Sequence, residues 1–137
     1  MNTNVDSPEE AVSTGQMAEI LQLPEFLARQ TDLVRAMAKT GGVINIKKPQ
    51  FLSPKLRRNI VDKFQKYRND PLLLCKRGTN FGYDNLVVEM LGFGVMIWTC
   101  EDLSLIFDVT TNAMQCKAAG VRCTQVGDLP RIVSCAV

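Results

Sequence analysis

Leu72-Leu73-Leu74-Cys75-Lys76-Arg77-Gly78-Thr79-Asn80-Phe81-Gly82-Tyr83-Asp84-Asn85 is the stretch on which the fold turns. Apolar residues behind Pro71 read as a short buried strand, and the run then breaks into charge, two glycines and small polar side chains. That is the pattern of a strand delivering a binding loop. Arg77 stands where the strand ends, Gly78 and Gly82 let the backbone approach a ligand, and Asn80, Tyr83 and Asn85 offer donors and acceptors. A guanidinium at a strand tip suits a phosphate or carboxylate, because its planar fork makes two parallel charge-assisted bonds. A glycine-containing turn capping the next helix at Asp84 or Asn85 explains the same stretch but does not require Arg77.

Outward from this strand the same unit recurs. Upstream, residues 43–47 (Val-Ile-Asn-Ile-Lys) form a second β-rich run, followed by the loop Lys48-Pro49-Gln50. Ser53-Pro54 then opens a helix whose stripe is Leu56, Ile60, Phe64 and Tyr67, ending at the turn Asn69-Asp70-Pro71. Further upstream, residues 19–23 (Glu-Ile-Leu-Gln-Leu), stopped by Pro24, predict a strand with Gln22 near its end. Thr31 is the expected N-cap of a helix carrying Leu33, Val34, Met37 and Ala38, which Gly41-Gly42 ends. Downstream, residues 85–98 predict a helix with methionines as core filler, and residues 103–109 a fourth strand ending beside Asp108, Thr110, Thr111 and Asn112. Residues 1–16 are polar, punctuated by Pro8 and Gly15, and read as a flexible lead-in.

Strand starts recur about every 24 to 31 residues, the spacing of a strand, a crossover helix and the next parallel strand. Right-handed crossovers leave two solutions, an open doubly wound sheet or part of a β/α barrel. In both, function collects at the carboxyl ends of the strands, where Gln22, Lys47, Arg77 and Asp108 lie. Alternation puts Val43, Asn45 and Lys47 on one face and Leu73, Cys75 and Arg77 on the matching face, so one cation per strand points inward. Two such cations converging on one point make an anion site. Lys48 and Lys76 then share the opposite face, a like-charge juxtaposition that calls for an acid or solvent between them.

Composition narrows the partners. A chain of 137 residues with 46% hydrophobic content is one globular domain at most, and a formal charge of +2 without a long basic block gives no reason to expect nucleic acid. Arg57-Arg58 reads as a solvated helix face. The five cysteines (Cys75, Cys100, Cys116, Cys123 and Cys135) include no Cys-x-x-Cys pair, and histidine is absent, so a zinc site would need thiolates and carboxylates alone. They read as reduced thiols of a cytoplasmic protein. The polar, acidic start and the lack of an apolar run near 18 residues predict neither a secretory signal nor a membrane span.

The residues also carry a family resemblance. Leu21-Gln22-Leu23-Pro24 with Phe26-Leu27-Ala28-Arg29-Gln30-Thr31-Asp32-Leu33, then Lys47-Lys48-Pro49-Gln50-Phe51, then Arg77-Gly78-Thr79-Asn80-Phe81-Gly82-Tyr83-Asp84-Asn85-Leu86, then Ile106-Phe107-Asp108-Val109-Thr110, closely resemble 3-deoxy-8-phosphooctulonate synthase, in order and spacing, from about residue 3 to 133. The resemblance implies a β/α barrel transferase that condenses phosphoenolpyruvate with arabinose 5-phosphate, releasing phosphate, in lipopolysaccharide biosynthesis. It also implies a homo-oligomer. By the same resemblance Lys47 and Arg77 match the family's cations for phosphoenolpyruvate, Gln22 a polar contact beside them, and Gln50 a residue near the same site.

Several positions depart from the family's pattern. The family has Asp and His in the loop where this chain has Asn4 and Asp6. Its Thr-His after the seventh strand is replaced by Thr110-Thr111-Asn112-Ala113, and its Asp-Pro-Phe-Gly is missing from residues 116–122. Glu25 stands where the family has a small residue, and Lys76 where an acid usually precedes the arginine. Metal-dependent members draw on that histidine and on residues outside the match, so the resemblance carries over no metal site and no cofactor. A β/α barrel takes about 250 residues and eight strands. The expectation is therefore α/β, a partial (half) barrel of about four parallel strands forming one incomplete domain over 1–137. Within it, 1–16 is a polar lead-in, 17–110 the best-matched units and 111–137 a divergent segment whose helix is interrupted by Gly127 and Pro130. Such a half-barrel is expected to expose two strand edges and an apolar inner face. Functionally it is either an enzyme of this type or an inactive truncated fragment retaining at most an anion-binding patch. A further reading is a surface for a complementary half-barrel.

Overall fold

The computed structural model describes residues 1–80, 86–87 and 90–108. The chain alternates strand and helix: β1 (Asn2–Asn4), α1 (Pro8–Met17), β2 (Ile20–Leu23), α2 (Thr31–Lys39), β3 (Val43–Lys47), α3 (Arg58–Lys66) and β4 (Leu72–Lys76). A two-stranded antiparallel pair follows, β5 (Thr79–Asn80) with β6 (Leu86–Val87), then α4 (Met90–Thr99) and β7 (Ser104–Phe107). The main sheet has the order β1-β2-β3-β4-β7, parallel throughout. Each new strand is added on the same side of the last, so the order never reverses as it must in a doubly wound sheet. With right-handed crossovers this stacks the helices on one face, α1 against α2 and α2 against α3, which is an arc of a β/α barrel.

Alternation in the strands explains the two faces. Leu21, Leu23, Ile44, Ile46, Leu72 and Leu74 point outward to the helices and are buried, meeting Leu33, Val34, Met37 and Ala38 of α2 and Ile60, Val61 and Phe64 of α3 in one core. The concave face is different. Asn4, Gln22, Asn45, Leu73 and Ser104 stand in register across all five strands, so this rung is mainly polar and not the apolar surface expected from the sequence.

Three other expectations are corrected. The lead-in predicted over residues 1–16 is a strand and a helix. Ser7 caps α1, its Oγ accepting from the Glu10 amide at 3.3 Å, Pro8 occupies the first turn, and Glu10 Oε2 accepts from the Asp6 amide at 3.0 Å. Composition hid this helix because it buries only Ala11 and so shows little apolar stripe. Ser7→Ala should cost about 1 kcal/mol of stability, read by urea denaturation, since only the cap is lost. Thr31 begins α2 instead of capping it, and its Oγ1 accepts from Lys63 Nζ at 3.4 Å. Arg57, expected on a solvated face, ends a 3-10 turn (Lys55–Arg57) that aims it inward, and it is fully buried. Arg58 does face out, bonding Asp62 at 3.0 Å and Asp102 at 2.9 Å.

The turn before β4 closes as expected. Arg68 adopts φ 62°, and buried Asn69 donates from Nδ2 to the carbonyls of Ala38 and Gly42, both at 3.2 Å, tying this turn to the one before β3, where Gly41 has φ 70°. In α4 Met96 is core filler as expected, whereas Leu91 and Trp98 are each 83% exposed. Among the described residues no helix is long and apolar enough to cross a membrane. Gly82, Tyr83, Asp84 and Asn85, residues 110–113, Cys116, Cys123, Cys135 and the expected helix near residues 125–133 lie outside the described residues.

Candidate functional site

At the carboxyl ends of the strands a cleft of about 260 Å³ opens, lined by Asn4, Asp6, Gln22, Pro24, Glu25, Phe26, Lys47 and Arg77. Register explains the convergence. Lys47 lies opposite Cys75, and Arg77, two residues past Cys75, returns to the same face. The alternation read from the sequence therefore brings both cations to one cleft.

Each cation meets an acid there. Lys47 Nζ lies 3.2 Å from Asp108 Oδ2, their side chains 18% and 13% exposed. Arg77 pairs through Nη1 with Oε1 of Glu25, and both residues are 8% exposed. Burial pulls the Arg77 guanidinium below its ordinary pKa, while the Asp108 carboxylate opposes the shift. Asp6 adds a third carboxylate, so Lys47 and Arg77 do not make the cleft net positive. The sequence pattern marked the cations and Asp108, but nothing in it marked Glu25 as the partner of Arg77.

Gln22 sits within an amide ladder that the sequence reading did not assign. Its Nε2 donates to Asn4 Oδ1, while its Oε1 accepts from Asn2 Nδ2 and Asn45 Nδ2, each at 3.3 Å. Three neighbours thus hold Gln22: Asn4 and Asn45 stand in register with it on the flanking strands, and Asn2 lies two residues before Asn4 on β1. Gln50 is buried in the loop after β3 and lies outside the lining of the cleft.

Behind the cleft, on the helix side of the sheet, Arg57 donates from Nη2 to the carbonyl of Ile46 and from Nη1 to that of Cys75 at 3.2 Å. It thus bridges the ends of β3 and β4, next to Lys47 and Lys76. Burial lowers its pKa to about 10, which still leaves it charged at neutral pH. Lys48 and Lys76, expected side by side on this face, are both buried, and Lys48 Nζ donates to the Pro49 carbonyl at 2.9 Å. Burial, with Asp108 adding to it, pushes the Cys75 thiol up to about 11, so it stays protonated and is no nucleophile at neutral pH. Cys75 and Cys100 are free thiols. Among the described residues no group of three or more His, Cys, Asp or Glu side chains is placed to hold a metal.

Comparison with known proteins places this geometry in a family. Proteins named 2-dehydro-3-deoxyphosphooctonate aldolase match over 134 residues: that of Parasynechococcus marenigrum (strain WH8102) is 66% identical, that of Prochlorococcus marinus (strain MIT 9313) 61%, and that of Edwardsiella ictaluri (strain 93-146) 58%. Each match covers 94% of this chain but 47% of the relative, so the chain spans about half the length of the curated relatives it matches. The resemblance drawn from the strand-end motifs is borne out by these relatives. The family model described as DAHP synthetase I family matches residues 1–129, and the chain belongs to that family.

Proposed function

We propose that this chain carries the phosphoenolpyruvate side of a 3-deoxy-8-phosphooctulonate synthase-type condensation, acting in the cytoplasm. The observation that supports it is the convergence of Lys47 and Arg77, from adjacent strands, on one cleft beside the Gln22 amide ladder. A small, highly charged anion fits that arrangement, with fixed cations holding its phosphate and carboxylate. In the reaction the methylene carbon of phosphoenolpyruvate bonds to the aldehyde carbon of arabinose 5-phosphate, one water is consumed, and inorganic phosphate leaves. Gln22 contributes a fixed amide, and Gln50, near the same site, belongs to the same proposal. Assembly with identical subunits is part of it as well.

A second reading, an anion-binding patch without turnover, is favoured by the two ion pairs that occupy the cations. Titration calorimetry with phosphoenolpyruvate tests the site that both readings share. Arg77→Ala should weaken binding about 10- to 100-fold, the worth of charge-assisted hydrogen bonds. Unchanged affinity would refute the site. Phosphate release in the presence of both substrates, lost in Arg77→Ala, selects the condensation, and binding without release selects the patch.

A further inference from the structure

We propose that Glu25 is an intramolecular competitor, a tethered carboxylate that occupies the anion slot of Arg77 and must be displaced before an oxyanion can bind. The inference rests on the cleft being an anion site, as proposed above, and adds what controls entry to it. Glu25 opens the 3-10 turn Glu25–Leu27 directly after β2, behind Pro24 at φ −62°. That turn brings its side chain to Arg77, and the two are nearly sealed from solvent.

The pairing uses only part of the guanidinium. Glu25 engages Nη1, while Arg77 Nε is buried with no hydrogen-bond partner among the described residues. A buried donor left open is costly, and the Nε edge of a guanidinium is one that planar oxyanions engage with two parallel bonds. Glu25 therefore holds the charge of Arg77 without satisfying its fork. A phosphate or carboxylate that reached both nitrogens would satisfy it better, but only if Glu25 swung away, since two anions sharing one cation repel each other. Affinity for any anion is then lowered by the work of displacing Glu25. Neutralising Glu25 should raise it.

The test is calorimetric titration of the whole chain with phosphoenolpyruvate and, separately, inorganic phosphate, comparing the unaltered protein with Glu25→Gln and Glu25→Ser, each alone and combined with Arg77→Ala. Displacing one charge-assisted contact corresponds to about a 10-fold gain in affinity, so the Glu25 variants should bind both probes about 10-fold more tightly, and Arg77→Ala should erase the gain. Tighter binding cannot come from a misfolded chain. Equal affinity with and without Glu25, still dependent on Arg77, would overturn the role of Glu25 and leave the anion site standing. Binding that ignores Arg77 in every background would overturn both. If circular dichroism shows both Glu25 variants unfolded, Glu25 is a structural partner of Arg77 and the inference fails.

Discussion

Arg57→Ala should lower the free energy of unfolding by about 3–5 kcal/mol, the range for removing a large buried side chain whose neighbours cannot collapse into the gap. Arg57 is the largest fully buried side chain described, and its guanidinium joins the carbonyls of Ile46 and Cys75 at the ends of neighbouring strands. Its aliphatic stem fills volume and its head donates hydrogen bonds, and alanine removes both. Arg57→Met separates the two effects. Methionine keeps most of the volume and relieves the burial of a charge, the burial that brings the pKa of Arg57 down to about 10. It should therefore cost clearly less than alanine. Urea denaturation followed by circular dichroism measures both, and a loss below about 1 kcal/mol for alanine would show that the bridge is dispensable.

Leu74→Ala should cost about 2–5 kcal/mol, and Leu73→Ala, one residue earlier, less than half as much. The contrast follows from the sidedness of the sheet. Leu74 faces the helices and is fully buried, whereas Leu73 faces the concave side and is half-buried in the rung shared with Asn45 and Ser104. If the two substitutions proved equally damaging, the concave face would be as tightly packed as the core. That result would contradict a cleft on that side.

Both predictions concern features that the sequence showed unequally. The strands of residues 43–47 and 72–76 were legible to the residue, because β-rich apolar runs bounded by Gly41-Gly42, Pro49 and Pro71 leave little choice of register. The same alternation put Lys47 and Arg77 on one face. Arg57 and α1 were not legible. A cation at helical spacing beside another cation looks solvated unless the carbonyls it will meet are known, and α1 is specified by its cap and not by an apolar stripe.

The sequence by itself determined the alternation of strand and helix, the parallel sheet and the two inward cations, since these depend on local pattern and on a side-chain period of two. Only the tertiary structure decided the polarity of the concave face and the charge state of the cleft. Asn4, Gln22 and Asn45 are far apart in the chain and become a ladder only through strand register. Likewise Glu25 lies 52 residues before Arg77, and Asp108 lies 61 after Lys47. Which acid neutralises which cation depends on where the turn after β2 carries Glu25 and where the end of β7 places Asp108, and no periodicity in the sequence records that.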